Sequence, residues 1–485
     1  MTNRNKLGSK FFILIAVLLF AWVGASCKNK PTEEGGMLLE KPDDKNDTIG
    51  GDGRLTDPTL IEKYKKEMIN IRLISDSSDG VAYYRAPVVV TYGTTGMGMA
   101  IFYEKRFGQG GDGDVGVDGK AKVDIVFMSG DKGGDGLYYD SDNKVGKDPS
   151  AGEGDPQYSR GSPVVFVKPK GTDIAVVAAA GAGTMGGTSG RGESELKIVR
   201  GTANGSTINF GGWQELEIEY TNNNVTNKGS EAIRKYVKEK IGSEFTAFYT
   251  RWGQGKMDGD TWVLPLKLIQ RKSDGSTVGN EGAILVLYST NSGTNWAFGP
   301  HIKLGPTSYN EATGLSVSGK TVKLAMVPRN YHNPVGIYKG ELTNGVELTL
   351  EGKSSFNDSY NNFEMNKKDA DNAYFINTRE RSSKFINGFI VNKKLTIALL
   401  NDPADTLQEK KSMLMSRLAG SGSVAVLDDG TILTVAEEAF AEKVREGENR
   451  YNIVQRRFTK GYVENHQRID LKEEYYNPNY PEDSY

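Results

Sequence analysis

From about Ile74 onward, apolar residues alternate with polar ones or gather in short runs, and each run is closed by Gly, Asn or Asp. Such runs occupy Pro87–Thr91, Met99–Tyr103, Val123–Met128, Pro163–Val167, Asp173–Ala179, Ala283–Tyr288, Val322–Val327, Leu395–Leu400 and Thr431–Val435. A period of two between glycine-rich turns marks short strands, because successive side chains of a strand point to opposite faces. Helical spacing occurs twice. Leu60, Ile61, Tyr64, Met68 and Ile71 predict an amphipathic helix over Pro58–Ile71, and a second helix is predicted over Ser230–Ile241. The pattern therefore predicts an all-β sandwich, barrel or propeller with a helical insertion near 229–243.

The first residues follow a different rule. Arg4, Lys6 and Lys10 precede an apolar run over Phe11–Val23, which the small residues Gly24, Ala25 and Ser26 close before Cys27. The run is shorter than the ~20 residues a spanning helix needs, and its order of basic, apolar and small residues is that of a secretory signal. From Lys28 to about Arg54 the chain is rich in Lys, Glu, Asp, Gly and Pro without apolar periodicity, the composition of a tether. The expected organisation is a signal over 1–27, tether and helix over 28–75, one β domain over 76–470 and a polar tail over 471–485.

Composition narrows the chemistry. With 60 basic and 62 acidic residues and a net charge of −2, the chain lacks the basic footprint that non-specific nucleic-acid binding depends on, so nucleic acid is not an expected partner. The single cysteine excludes an internal disulfide and a Cys-rich zinc site. Only His301, His332 and His466 could feed a histidine metal centre or a Ser-His-Asp triad. No metal and no cofactor is expected. Gly181-Ala-Gly183-Thr-Met-Gly186 imitates a dinucleotide fingerprint, but the apolar run LKIVR follows it in place of a helix.

A weak internal repeat selects among the β architectures. Ser129-Gly-Asp131-Lys-Gly133-Gly-Asp-Gly136 follows VDIVFM, and Ser289-Thr-Asn291-Ser-Gly293-Thr-Asn-Trp296 follows AILVLY; a decayed third copy runs from Gly201 to Ile208 after LKIVR. In such a turn a short Asp or Asn side chain bonds the backbone of its own hairpin while Gly takes the positive φ. The repeat resembles the Asp box of the sialidase-type β-propellers. In that family the box is a structural outer turn, away from the substrate. The resemblance implies a six-bladed β-propeller, with the likeness covering about residues 82–458.

The same family resemblance assigns a site. Tyr84-Arg85-Ala86-Pro87 is similar to the Tyr/Phe-Arg-Ile-Pro motif that opens bacterial sialidases, whose arginine is the first of three that clamp the sialic acid carboxylate. A guanidinium suits that task because its planar fork bonds both carboxylate oxygens and stays charged. Glu104-Lys-Arg106 resembles the Glu/Asp-x-Arg strand end that supplies the next arginine. The general acid then falls on Asp118, with Asp112 and Asp114 fitting a shorter spacing; a calcium loop through these residues fails at Gly116, which offers no side-chain oxygen. Asn310-Glu311 and Arg329-Asn330 resemble the pair in which a glutamate polarises a tyrosine nucleophile and an arginine is the next residue of the clamp. Sialidases use a tyrosine because the anomeric carbon bears a carboxylate that would repel an anionic nucleophile. On this register Ser421 stands where that tyrosine is expected, and the third arginine falls among Lys410, Lys411 and Arg417.

The resemblance implies an exo-α-sialidase that acts on terminal sialic acids of glycoproteins or glycolipids with retention of configuration. The alternative is a non-catalytic sialoglycan-binding protein on the same propeller, which Ser421 favours; a third reading is a protein-interaction scaffold. The leader resembles bacterial lipoprotein signals in a loose form, with Gly24 where Leu is usual. It implies lipid attachment at Cys27 and an outer-membrane or cell-surface lipoprotein, since acyl chains contribute about 0.8 kcal/mol per buried methylene.

Overall fold

The computed structural model describes residues 51–75, 82–107, 123–134, 143–146, 158–190, 192–274, 276–304, 309–328, 334–343, 345–357, 364–367, 373–386, 389–400, 410–415, 419–439 and 451–465. The first elements are helix α1 (Pro58–Lys63) and strand β1 (Asn70–Ser75). A first sheet follows from β2 (Tyr83–Tyr92), β3 (Gly98–Arg106), β4 (Val123–Gly130) and β5 (Asn143–Lys144). The second is built on β6 (Gly161–Val167), β7 (Asp173–Gly181), β8 (Ser194–Asn204), β9 (Thr207–Phe210) and β10 (Gln214–Glu215). A hairpin of β11 (Glu219–Asn222) and β12 (Val225–Lys228) leads into helix α2 (Gly229–Tyr236), which continues as a π turn to Ile241.

The third sheet holds β13 (Ala247–Thr250), β15 (Lys256–Asp258), β16 (Thr261–Arg271), β17 (Thr277–Ser289) and β18 (Ala297–Leu304), while β14 (Gly253–Gln254) leaves it to pair in parallel with β6. The fourth is β19 (Tyr309–Ser318), β20 (Thr321–Pro328), β21 (Pro334–Glu341) and β22 (Thr349–Asn357), and the fifth β23 (Glu364–Lys367), β24 (Ala373–Ile386), β25 (Phe389–Leu400) and β26 (Lys410–Met415). In the last sheet β27 (Ala419–Val426), β28 (Ile432–Ala439) and β29 (Tyr451–Phe458) are completed by β1 from the other end of the chain. Helix α3 (Lys460–Asn465) follows. The protein is thus mostly β, in successive antiparallel meanders, and each of the nine runs that the sequence marks as strands falls within a strand or overlaps one by all but its first residue.

Stacking of the sheets follows from the period of two. Val88, Val90, Ala100 and Phe102 of the first sheet pack with Val165, Ile174 and Val176 of the second. Their alternates Val89, Met99, Ile101 and Tyr103 pack with Ala425, Leu427, Leu433 and Val435 of the last. The second sheet turns Val164, Phe166 and Val177 towards Leu264, Leu266 and Leu285 of the third, and Phe166 stacks on Trp262 at 4.6 Å and 5°. The third turns Val263, Ile284 and Val286 towards Val322, Leu324 and Met326 of the fourth. A sheet covered on both faces needs apolar side chains at consecutive positions, which is why β2 reads Val88-Val89-Val90 without a polar break.

The N-terminal helix is shorter than its spacing predicts. Asp57 caps it by accepting from the Thr59 amide at 2.7 Å, Pro58 opens it, and it stops at Lys63. The residues beyond are drawn into the edge of β29, with Asn70 opposite Arg457 and Arg72 opposite Gln455. Pairing with a waiting strand edge outweighs the weak helical preference of the same residues. Helix α2 lies where the second prediction puts it. The glycine-rich stretch after β7 is a turn between antiparallel strands, with Gly181 opposite Ser194, so it provides no βαβ crossover for a dinucleotide.

The repeated turns differ in detail. Ser289 Oγ accepts from the Gly293 amide at 2.9 Å and donates to Asn291 Oδ1, which accepts from the Asn295 amide at 2.8 Å. Trp296 Nε1 donates to the Gly293 carbonyl at 3.0 Å. Ser292 and Gly293 both have positive φ, 55° and 73°, as do Lys132 and Gly133 at 49° and 79°. Ser129, however, donates across to the carbonyl of Ser206. The third copy is a two-residue hairpin turn at Gly205-Ser206 between β8 and β9. The first two turns both follow the third strand of their sheets, β4 and β17, and so lie at the edge where β2 ends.

Candidate functional site

In an antiparallel meander the start of a sheet's first strand and the end of its second share one edge. Arg85 lies near the start of β2, Arg106 ends β3, and Glu437 lies towards the end of β28. All three are therefore at the edge opposite the Ser129 and Ser289 turns. Arg85 and Glu104 are cross-strand partners, and Arg106 is two residues further along β3. Diagonal neighbours of this kind stand roughly 7–8 Å apart, which puts both arginines close together at one edge of the sheet.

Each guanidinium is held by a buried carboxylate. Arg85 Nε donates to Glu437 Oε1 at 3.1 Å, and the same oxygen accepts from the Ala86 amide at 2.6 Å. Glu437 is 0% exposed and Arg85 7%. Ala86 has φ 55°, within a bulge that shifts the register between Arg85 and Val88. A left-handed conformation costs a non-glycine residue about 1–2 kcal/mol, and here the charge-assisted bond to Glu437 offsets it. The Tyr451 ring, at the start of β29, lies 4.7 Å from the Arg85 guanidinium carbon, in cation–π range. Arg106 donates from Nε at 2.6 Å and Nη2 at 2.5 Å to Glu104 Oε2.

The starts of further sheets converge on the same region through Gln254. Its Nε2 donates to the carbonyls of Val89 in β2 and Val424 in β27, at 2.6 and 2.7 Å. Its neighbour Gly253 pairs with Val164 of β6. Gln254 also lines a small cavity of about 20 Å³ with Arg251, Trp252 and Lys256, whose far wall is Ala312 and Gly314 of β19. The backbone of Glu311, the third residue of β19 and the partner of Val327, directly precedes the Ala312 that lines this cavity.

Of the residues assigned from sequence, Arg85 and Arg106 are thus brought to one edge of the first sheet. Glu311 is placed by its backbone, and its side chain lies outside the described residues. Asp118, with Asp112 and Asp114, lies in 108–122, outside the described residues; the flanking Arg106 and Val123 are cross-strand partners. Arg329 and Cys27 also lie outside them, Arg329 directly after Pro328 at the end of β20. Ser421 falls in β27. Tyr92 ends β2, at the edge opposite Arg85, so it does not stand in for the missing tyrosine. Among the described residues, no group of three or more His, Cys, Asp or Glu could hold a metal ion.

Sequence reasoning missed Glu437, Tyr451, Gln254 and the buried pair Arg160 and Arg251, both 7% exposed. Glu437 sits in the unremarkable run Ala436-Glu437-Glu438, far from Arg85 in sequence, and only the pairing of the last sheet with the first unites them.

No family model and no curated protein matches this chain. Solved structures do. A protein of unknown function from Dyadobacter fermentans is 12% identical with a TM-score of 0.52, the alignment covering 81% of this chain and 98% of that one. An intramolecular trans-sialidase from Ruminococcus gnavus, in complex with oseltamivir carboxylate, is 12% identical over the same shares at a TM-score of 0.47. A leech intramolecular trans-sialidase complexed with 2,7-anhydro-Neu5Ac is 14% identical at 0.46, covering 84% of this chain and 73% of that one. At these identities the likeness concerns the fold alone.

Proposed function

We propose that this chain is an exo-α-sialidase on a six-bladed β-propeller. The observation that carries the reading is the pair of buried arginines, Arg85 and Arg106, each fixed by a buried glutamate at one edge of the first sheet. In this reading Arg85, Arg106 and Arg329 hold the carboxylated sugar. Asp118 protonates the departing glycosidic oxygen and later activates water, and Glu311 polarises the nucleophile. A buried acid is needed for the first step, because desolvation keeps a carboxyl protonated at working pH. Six sheets of four or more strands, with β1 completing the last, support the propeller.

Release of the fluorophore from a fluorogenic sialoside by the chain without residues 1–27, and a fall of at least ~100-fold in Asp118→Ala, is the expected result, within the range general acids contribute. Ser421 in β27 favours the second reading, a sialoglycan-binding protein without turnover. Binding of a dehydrated sialic acid analogue without any release by the parent protein would select it.

Lipid on Cys27 belongs to the same proposal. Gly53, Arg54 and Leu55 are pinned at the edge opposite Arg85: Arg54 Nη2 donates to the Thr95 carbonyl at 2.8 Å, and the Leu55 amide to Asp429 Oδ2 at 3.0 Å. A tether that joins the domain there leaves the arginine edge directed away from the membrane. Radiolabelled palmitate should enter the parent protein in cells and not Cys27→Ser, and equal labelling of the two would remove the anchor from the proposal.

A further inference from the structure

The backbone bond at the junction between the last sheet and the first is repeated between the first and the second. At the former, Glu437 Oε1 accepts from Ala86, a left-handed residue that precedes Pro87. At the latter, Glu104 Oε1 accepts from the amide of Ser162 at 2.6 Å, and Ser162 is left-handed at φ 51° and precedes Pro163. Both glutamates lie on the second strand of one sheet, and both accept from the first strand of the next. Both donating strands shift register at the same place, between Arg85 and Val88 in β2 and between Gly161 and Val164 in β6. The sequence repeats too: Ala86-Pro-Val-Val89 against Ser162-Pro-Val-Val165. Each carboxylate also accepts from one arginine of the site, Glu437 from Arg85 and Glu104 from Arg106.

From this duplication we infer that Glu104 is a positioning residue: it fixes Arg106 for the ligand as Glu437 fixes Arg85, and it fastens the second sheet to the first by the same bond. The inference rests on the arginine edge being the ligand site. The physical content is that of an N–H and a guanidinium sharing one buried anion. The backbone bond sets where the carboxylate sits, and the carboxylate then sets the plane of the guanidinium. The charge of each arginine is offset locally, so the site selects by the direction of its N–H groups more than by net positive potential.

The test separates the two bonds of Glu104. Glu104→Gln keeps a carbonyl oxygen for the Ser162 amide and removes the charge that holds Arg106; Glu104→Ala removes both. In the full mature chain, binding of a sialoside measured calorimetrically should weaken about 10-fold in Glu104→Gln, with a steeper salt dependence because the negative charge of Glu104 beside Arg106 is removed. Its unfolding midpoint should stay near the parent's, while Glu104→Ala should lose stability as well. Parent-like affinity and salt dependence in Glu104→Gln would overturn the assignment. A ligand-free readout keeps it apart from the proposed activity. The Arg106 Nε–H resonance should be slow to exchange in the parent protein and fast in Glu104→Gln, and the Ser162 amide should exchange faster only in Glu104→Ala. Unchanged exchange at both groups would overturn the inference even if sialosides bind; changed exchange without any sialoside binding would leave the latch standing and remove the sialidase reading.

Discussion

Arg85→Ala is expected to lower affinity for a sialoside, and any release from it, by 100-fold or more, while Arg85→Lys recovers stability without recovering affinity. The guanidinium spends Nε on Glu437, and its remaining N–H groups lie in the same plane. Charge-assisted hydrogen bonds contribute roughly 1.5–3 kcal/mol each, so losing two to a carboxylate costs a factor well above 100 at about 1.4 kcal/mol per decade. Alanine also deprives Glu437, which is fully buried, of this cation. Removing one member of a buried pair destabilises by about 3–5 kcal/mol, so a loss of binding in Arg85→Ala alone could be a loss of fold. Lysine resolves this. Its ammonium can neutralise Glu437, but as a point charge it cannot reproduce the fork. Calorimetric titration and urea unfolding of both variants separate lost binding from lost fold, and an Arg85→Lys protein that binds like the parent would show that Arg85 is not a ligand group.

What the sequence made legible was local. Strands were visible because sheet faces demand a period of two, and the Ser289 turn because its bonds lie within eight consecutive residues. Arg85 and Arg106 could be marked because short motifs surround them. Glu437 could not, because it becomes a partner of Arg85 only when the last sheet stacks on the first, and nothing in Ala436-Glu437-Glu438 anticipates that. The same cause acts at the end of the first helical pattern: Ile71 has the spacing of a helix with Tyr64 and Met68 but pairs as a strand with Arg456 of β29, more than 370 residues away. Glu104 and Ser162 form an intermediate case. Ala86-Pro-Val-Val89 and Ser162-Pro-Val-Val165 could have been aligned from the sequence, but the reason for the match is a hydrogen bond between sheets.

The largest effect on stability is expected from Gly133→Ala, at about 4–6 kcal/mol, against about 1 kcal/mol for Gly93→Ala. Both glycines have left-handed φ, 79° and 82°, so the backbone cost of a side chain is nearly the same. Their surroundings differ. A methyl group at Gly93 meets nothing within 4 Å, whereas one at Gly133 would stand 2.1 Å from Nη1 of Arg457. A surface arginine would swing aside. Arg457 is 1% exposed and is held from three directions, by Thr431 Oγ1 at 2.9 Å, the Gly53 carbonyl at 2.8 Å and Asp429 Oδ2 at 2.8 Å. Asp429 in turn accepts the Leu55 amide, so displacing the guanidinium loosens the strap that brings β1 to β29 and leaves a buried carboxylate short of its cation. That second cost, about 3–5 kcal/mol, is what separates the two substitutions. A stability of 5–15 kcal/mol is ordinary for a folded domain, so the urea midpoint of Gly133→Ala should fall by a large fraction of its value while that of Gly93→Ala moves little. Equal shifts in the two would mean that Arg457 yields at no cost and that the strap over the Lys132–Gly133 turn does not hold the last sheet closed.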